Sequence, residues 1–183
     1  RGNQQYTAVP DVVLSGTGSG DGTAVLGTGQ IVVSVTVDSG GTGFVSPTIA
    51  FGAPGQQTFV GGSAAIDIST NTITINGHPF ETGNQISLDT TTLDPAAVAP
   101  GGLAAGTYYA IRVSDDEFQV ASSLANANAG TEVPITSVGS GNMFFIGVTA
   151  TGTVQQSGGV ITGVTITNAG TGYSGVALAT VTD

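Results

Sequence analysis

Three carboxylates follow one another in "SDDE", Asp115, Asp116 and Glu117. Hard oxygen donors of this kind suit Ca²⁺, which gathers about six to eight of them, so these residues are the metal-ligating candidates. The same run separates "YYAIRV" from "EFQVA", and a hairpin tip there asks for Asp-type turn residues with or without a cation. His78 is the single histidine, inside "NGHPFETG". With no cysteine and no Gly-x-Ser-x-Gly elbow it has no nucleophile to activate, and a zinc site lacks its other ligands. Glu81, Asp89, Asp94 and Glu117 are the carboxylates from which a glycosidase pair would be drawn, yet nothing in their spacing brings two of them together. "GTGSGDG" (Gly16 to Gly22) follows the apolar "VVL" as a phosphate-cradling loop does. Such a loop must open a helix, and "TAVLGTGQIVVSVTV" behind it is a strand pattern. The expectation is a chain without catalytic residues and without a cofactor.

Composition limits the partners. The 183 residues carry twelve acids and two basic residues, Arg1 and Arg112, for a formal charge of −10. Such a surface repels phosphate backbones, so nucleic-acid binding is not expected. No apolar run reaches the roughly 20 residues of a membrane-spanning helix. The absence of cysteine leaves the redox compartment open. A first residue Arg1 in place of Met suggests processing, or a piece of a longer chain.

The elements that must position these residues read as strands. Thirty glycines, abundant Thr and Val, 8% charged residues and no Leu/Glu/Lys helical pattern indicate an all-β protein of short strands and tight turns. "DSGGTGFVSPTIAF" (38–51) recurs as "TNAGTGYSGVALAT" (167–180). The offset of 129 (Gly43 to Gly172) also pairs Val32 with Ile161, Val35 with Val164, Val37 with Ile166 and Ile49 with Leu178. Gly41, Gly43, Gly170 and Gly172 are expected to hinge a turn at positive φ, with Phe44 and Tyr173 folded back as lids. A third, partial copy is "YTAVPDVVL" (6–14).

Between the copies the texture changes and the acids concentrate. Residues 1–64 with 148–183 are expected to form the repeat framework, a β-sandwich-like structure, and 65–147 a small inserted β subdomain. Its strands are expected at 72–75, 85–88, 107–113, 117–121, 133–137 and 143–148, with a helical turn in "SSLANANAG" and a loop over 89–106. Tyr108 and Tyr109 are adjacent on one strand and so face opposite sides; the outer one offers a ring to a sugar or a partner subunit.

"GGVITGVTITNAGTGY" (158–173) resembles the Gly-x-Gly-Tyr repeats of structural proteins of tailed bacteriophages, tail-fibre and capsid-associated proteins among them. "ITINGHPFETGNQISL" with "GGLAAGTYYAIRVSDDEFQVASSLANANAGTEVPITSVGSG" resembles a second module of the same proteins. The resemblance implies a virion building block, in a fibre, a tail or a capsid-surface decoration, whose partners are copies of itself and other virion proteins. It brings no catalytic residue. Similar repeats in large bacterial surface proteins leave open an extracellular adhesin or filament subunit, and in either setting a host-surface glycan is a further candidate partner.

Overall fold

The computed structural model describes residues 11–14, 20–27, 30–173 and 179–183. The Tyr6–Pro10 part of the third copy, most of the Gly16–Gly22 link, Leu178 and Arg1 lie outside the described residues. In chain order the elements are β1 (Asp11–Leu14), β2 (Gly20–Gly27), β3 (Ile31–Ser39), β4 (Thr48–Phe51), β5 (Gln57–Gly61), β6 (Ile66–Asp67) and β7 (Thr72–Thr74). There follow β8 (Gln85–Asp89), β9 (Gly106–Arg112), β10 (Glu117–Ala121), α1 (Leu124–Asn128), β11 (Gly141–Gly147), β12 (Thr151–Ser157), β13 (Val160–Asn168) and β14 (Ala179–Thr182). The protein is all-β and sandwich-like, with mostly antiparallel sheets.

The chain divides into two compact units. One comprises the residues up to Ala53 and from Thr149 onward; the other is Pro54–Val148. The inserted unit thus begins at Pro54, upstream of the sequence-expected position 65. The reason is β5, which reads locally as a continuation of the repeat but pairs antiparallel with β11, Phe59 opposite Met143.

The first unit is built twice over the same plan. β2 and β3 form one hairpin, β12 and β13 another, and each carries two register shifts. They fall at Asp21/Gly22 and Val25/Leu26 in β2, and at Thr151/Gly152 and Gln155/Gln156 in β12. The bulges are offset by 130 positions (Val25 to Gln155), whereas β3 and β13 are offset by 129 (Val32 to Ile161). The missing residue is in the turn: Gly158 and Gly159, both at positive φ, make the two-residue loop that a Gly-Gly pair favours, where the first hairpin has one residue more.

The two hairpins meet about a local two-fold axis. Val32 N–H donates to the Ala169 carbonyl (2.8 Å), and its repeat mate Ile161 N–H donates to the Gly40 carbonyl (2.9 Å). Phe44 N–H donates to Gly159 O (3.1 Å) and its mate Tyr173 N–H to Gln30 O (3.0 Å). Every donor and acceptor in one bond is the sequence counterpart of its opposite number in the other, which defines an isologous contact within one chain. Val32, Val35 and Ile161 are buried along this seam, with Val164 and Ile166 partly buried against them.

A five-stranded sheet, in the order β3-β2-β1-β14-β4, lies beside the second hairpin. β14 runs parallel to β1 (Val13 opposite Thr180) and antiparallel to β4 (Ile49 opposite Val181). β12 passes alongside β4 without a ladder of its own.

The second unit is a seven-stranded sheet ordered β5-β11-β8-β9-β10-β7-β6. Its end strands are consecutive in the chain, joined by a turn in which Ala65 and Ile66 N–H both donate to Gly62 O, so the sheet curls nearly closed. Inside, Phe59 stacks on Phe145 (5.7 Å), and Phe118 meets both Phe145 and Phe80 edge-on at 5.3 Å. Ser123 caps α1 by accepting from Asn126 N–H (3.1 Å). The strand expected over 133–137 does not form. Pro134 has no N–H to give a ladder, and only the isolated bridge Gly101 to Ser137 remains.

Candidate functional site

The "SDDE" carboxylates diverge. Val113 and Ser114 N–H both donate to Glu117 O (3.0 Å each), which closes the hairpin between β9 and β10. Asp115 then pairs with the Arg112 guanidinium, which also reaches Glu81 at 3.3 Å. Asp116 turns the other way, its Oδ1 accepting from Gly77 N–H (2.7 Å). Among the described residues no group of three or more His, Asp or Glu side chains is arranged to hold a metal ion.

The remaining carboxylates serve their own turns. Asp89 accepts from Thr91 and Thr92 N–H and from the Thr92 hydroxyl, bonds that hold its pKa below the usual carboxylate value. Asp94 accepts from Ala96 N–H (3.0 Å).

His78 is buried at 3% exposure between the Phe80 and Phe118 rings. Its Nδ1 accepts from Phe80 N–H (3.2 Å), which places the proton of the neutral ring on Nε2. Nε2 is buried and makes no hydrogen bond of normal geometry, although the Glu117 carbonyl faces the ring closely enough to favour its charged form. Burial pushes the His78 pKa below its ordinary value, and Arg112 adds to this; the Glu117 carbonyl and the Asp116 and Glu81 carboxylates oppose it. A ring held neutral among phenylalanines is a structural member of this core.

Tyr108 and Tyr109 do face opposite sides, but neither stands free as a platform. Tyr108 packs on the main core of the second unit and its hydroxyl bonds to Ala104 O (3.0 Å); Tyr109 packs on the small cluster of Ile111, Ala121 and Ala127. A shallow open groove of about 540 Å³ follows the mouth between β5 and β7, lined by Gln56, Gln57, Thr74 and Asn76 beside Ala65 and Phe59. Its amides and hydroxyls offer hydrogen bonds without any titratable group.

Several side chains meet around β14. Ala179 and Val181 are completely buried, as alternate residues on the inward face of a strand should be. At its end the Thr182 hydroxyl lies 3.1 Å from that of Thr48, and the Asp183 carboxylate accepts from the N–H groups of Val45 (2.9 Å) and Ser46. Those amides belong to the loop that follows the Gly41, Gly43, Phe44 turn.

Gly41, Gly43, Gly170 and Gly172 all have φ between 60° and 88°. Phe44 and Tyr173 are each 2% exposed over their turns. The Tyr173 hydroxyl donates to Gly52 O (3.1 Å) and accepts from Ala150 N–H (2.7 Å). It therefore bridges the end of β4 to the start of β12, where no ladder forms, and burial raises its pKa above the ordinary tyrosine value. At the corresponding place in the first repeat β1 and β2 pair directly as far as Leu14 opposite Gly20, and there the lid is Phe44, which has no hydroxyl. Sequence pattern marked the aromatic positions but not this division of labour; the Tyr-for-Phe exchange between repeats was its one visible signal. Asp183 and the β14 slot carried no motif.

No protein family, curated protein or solved structure matches this chain.

Proposed function

We propose that this chain is a non-enzymatic structural and assembly protein of a phage virion, a component of a fibre, a tail or the capsid surface. The repeat resemblance supports the virion setting. The observation that carries the assembly reading is the seam of the first unit: two copies of one strand-turn-strand plan meet through reciprocal hydrogen bonds, with β14 set between β1 and β4. A self-complementary seam of this type is how identical building blocks recognise one another. The side chains with chemical potential are committed to turns, an ion pair and a core, which fits a mechanical role. Electron microscopy of particles made without this protein tests the setting. Missing fibres, tail parts or surface density are expected, and particles indistinguishable from the parent would sink it.

A further inference from the structure

We infer that Asn76 is a covalent modification site that Asp116 keeps closed: once the Gly77 N–H leaves the Asp116 carboxylate, the Gly77 nitrogen attacks the Asn76 side-chain carbonyl. Asn76 and Gly77 form the one Asn-Gly step in the sequence. Glycine has no Cβ to crowd the backbone nitrogen that follows the asparagine, so ring closure is least obstructed at this step. The bond from Gly77 N to Asn76 Cγ forms as the Cγ–Nδ2 bond breaks. Ammonia leaves with the proton of the Gly77 amide, and a succinimide remains. Water then opens the ring at either carbonyl, giving an aspartate or an isoaspartate whose main chain runs through the former side chain. Both residues are exposed, and Asn76 borders the open groove beside β5 and β7, so water reaches the bond.

The folded turn is set against this reaction twice. His78 N–H donates to Ile75 O (3.3 Å), and Gly77 has a φ of 65° while Asn76 is not at positive φ, which makes 75–78 a type II turn. The second residue of such a turn has ψ near about +120°, and that holds the Gly77 nitrogen away from the Asn76 side chain. Asp116 pins the turn from the hairpin between β9 and β10. Its Oδ1 accepts from Gly77 N–H at 2.7 Å, and its carbonyl accepts from Ile75 N–H at 2.8 Å. The attacking nitrogen must lose its proton, and the anion so formed would face a carboxylate at hydrogen-bond distance. Conversion runs one way, because a carboxylate at position 76 adds negative charge to the turn that Asp116 holds.

The inference stands apart from the virion setting and is tested on the full-length protein. The parent, Asp116→Ala and Asp116→Asn are aged in mildly alkaline buffer, beside parent held in urea, and cut with pepsin. Mass spectrometry of the peptides follows each asparagine and separates aspartyl from isoaspartyl products. A hydrogen bond to a charged acceptor holds such a turn closed by about tenfold or more. Asn76 should therefore convert slowly in the folded parent and about tenfold faster in Asp116→Ala. Asp116→Asn, which keeps an oxygen acceptor without the charge, should lie between them. Asn71 and Asn84, in the same unit, should keep their parental rates. Conversion of the folded parent as fast as in urea, or parental rates in both variants, overturns the inference. So does an acceleration at Asn71 and Asn84 equal to that at Asn76, which would report a loosened unit. Should Asp116→Ala lose its cooperative thermal transition, Asp116→Asn alone decides: faster conversion at Asn76 supports the guard, and the parental rate overturns it.

Discussion

The two units stabilise seven-stranded arrangements by opposite means. In Pro54–Val148 a single cluster of four phenylalanines, Phe59, Phe80, Phe118 and Phe145, fills a sheet that curls toward closure. The repeat unit has smaller residues at its seam, Val32, Val35 and Ile161, and gains its order from symmetry, reciprocal backbone bonds and two aromatic lids. A core of large rings commits a unit to one internal arrangement. A seam of matched halves makes each backbone contact twice, so the repeat unit is ordered by its internal symmetry where the inserted unit is ordered by its rings.

The sharpest way to break this contrast is Phe118→Ala. The ring is fully buried and sits between Phe80, Phe145 and His78. Large-to-small substitution at such a site costs about 3–5 kcal/mol, through lost transfer energy and the cavity left behind. Hydrogen exchange should show protection falling throughout β8–β11 while β3 and β13 keep theirs. Equal loss in both units would mean that they do not unfold separately and that the contrast is wrong.

Much of this plan was legible in the sequence. The strands expected at 85–88, 107–113, 117–121 and 143–148 lie within two residues of β8, β9, β10 and β11, because alternating apolar residues and Gly or Pro stops dominate there. The repeat is legible from Ile31 onward, where an ungapped offset of 129 aligns the seam residues. It was lost before that point: one residue fewer in the second turn shifts β12 against β2, and the pairing then sets Gln156 against Leu26, Gln155 against Val25. Two matching bulges are invisible to side-chain type. The boundary at Pro54 is not legible locally, because β5 is defined by β11, a partner that lies about eighty residues on or more. For the same reason no motif announces the β14 slot, which exists only when three distant strands are together.

Tyr173→Phe tests the asymmetry inside the repeat unit. It leaves Ala150 N–H and Gly52 O, both served by the hydroxyl, without that partner, and a buried unsatisfied group costs about 1–3 kcal/mol. The reciprocal change Phe44→Tyr should bring no comparable gain, because β1 and β2 already pair directly at that end. Thermal unfolding of both variants measures the difference. If Tyr173→Phe is neutral, the hydroxyl does not stand in for the absent ladder between β4 and β12, and the two repeats are more alike than their lids suggest.

The smallest effect separates the units by pH. Burial holds the folded pKa of His78 below its ordinary 6.5, so above that pH both folded and unfolded chains carry a neutral ring. As pH falls below about 6.5 the unfolded chain takes up a proton that the folded one refuses, and stability declines until the folded pKa is passed. Arg112 opposes the incoming charge, while Asp116, Glu81 and the Glu117 carbonyl favour it; burial is the larger influence. His78→Asn keeps an oxygen to accept from Phe80 N–H and removes the titration. It should cost about 1 kcal/mol at neutral pH and flatten the decline below about pH 6.5 in the second unit only. The repeat unit contains no histidine, so its own stability over that interval should be the same in both proteins. An unchanged slope in the variant would assign the acid sensitivity to the carboxylates, and the buried imidazole would then be a packing residue with no bearing on how the two units part.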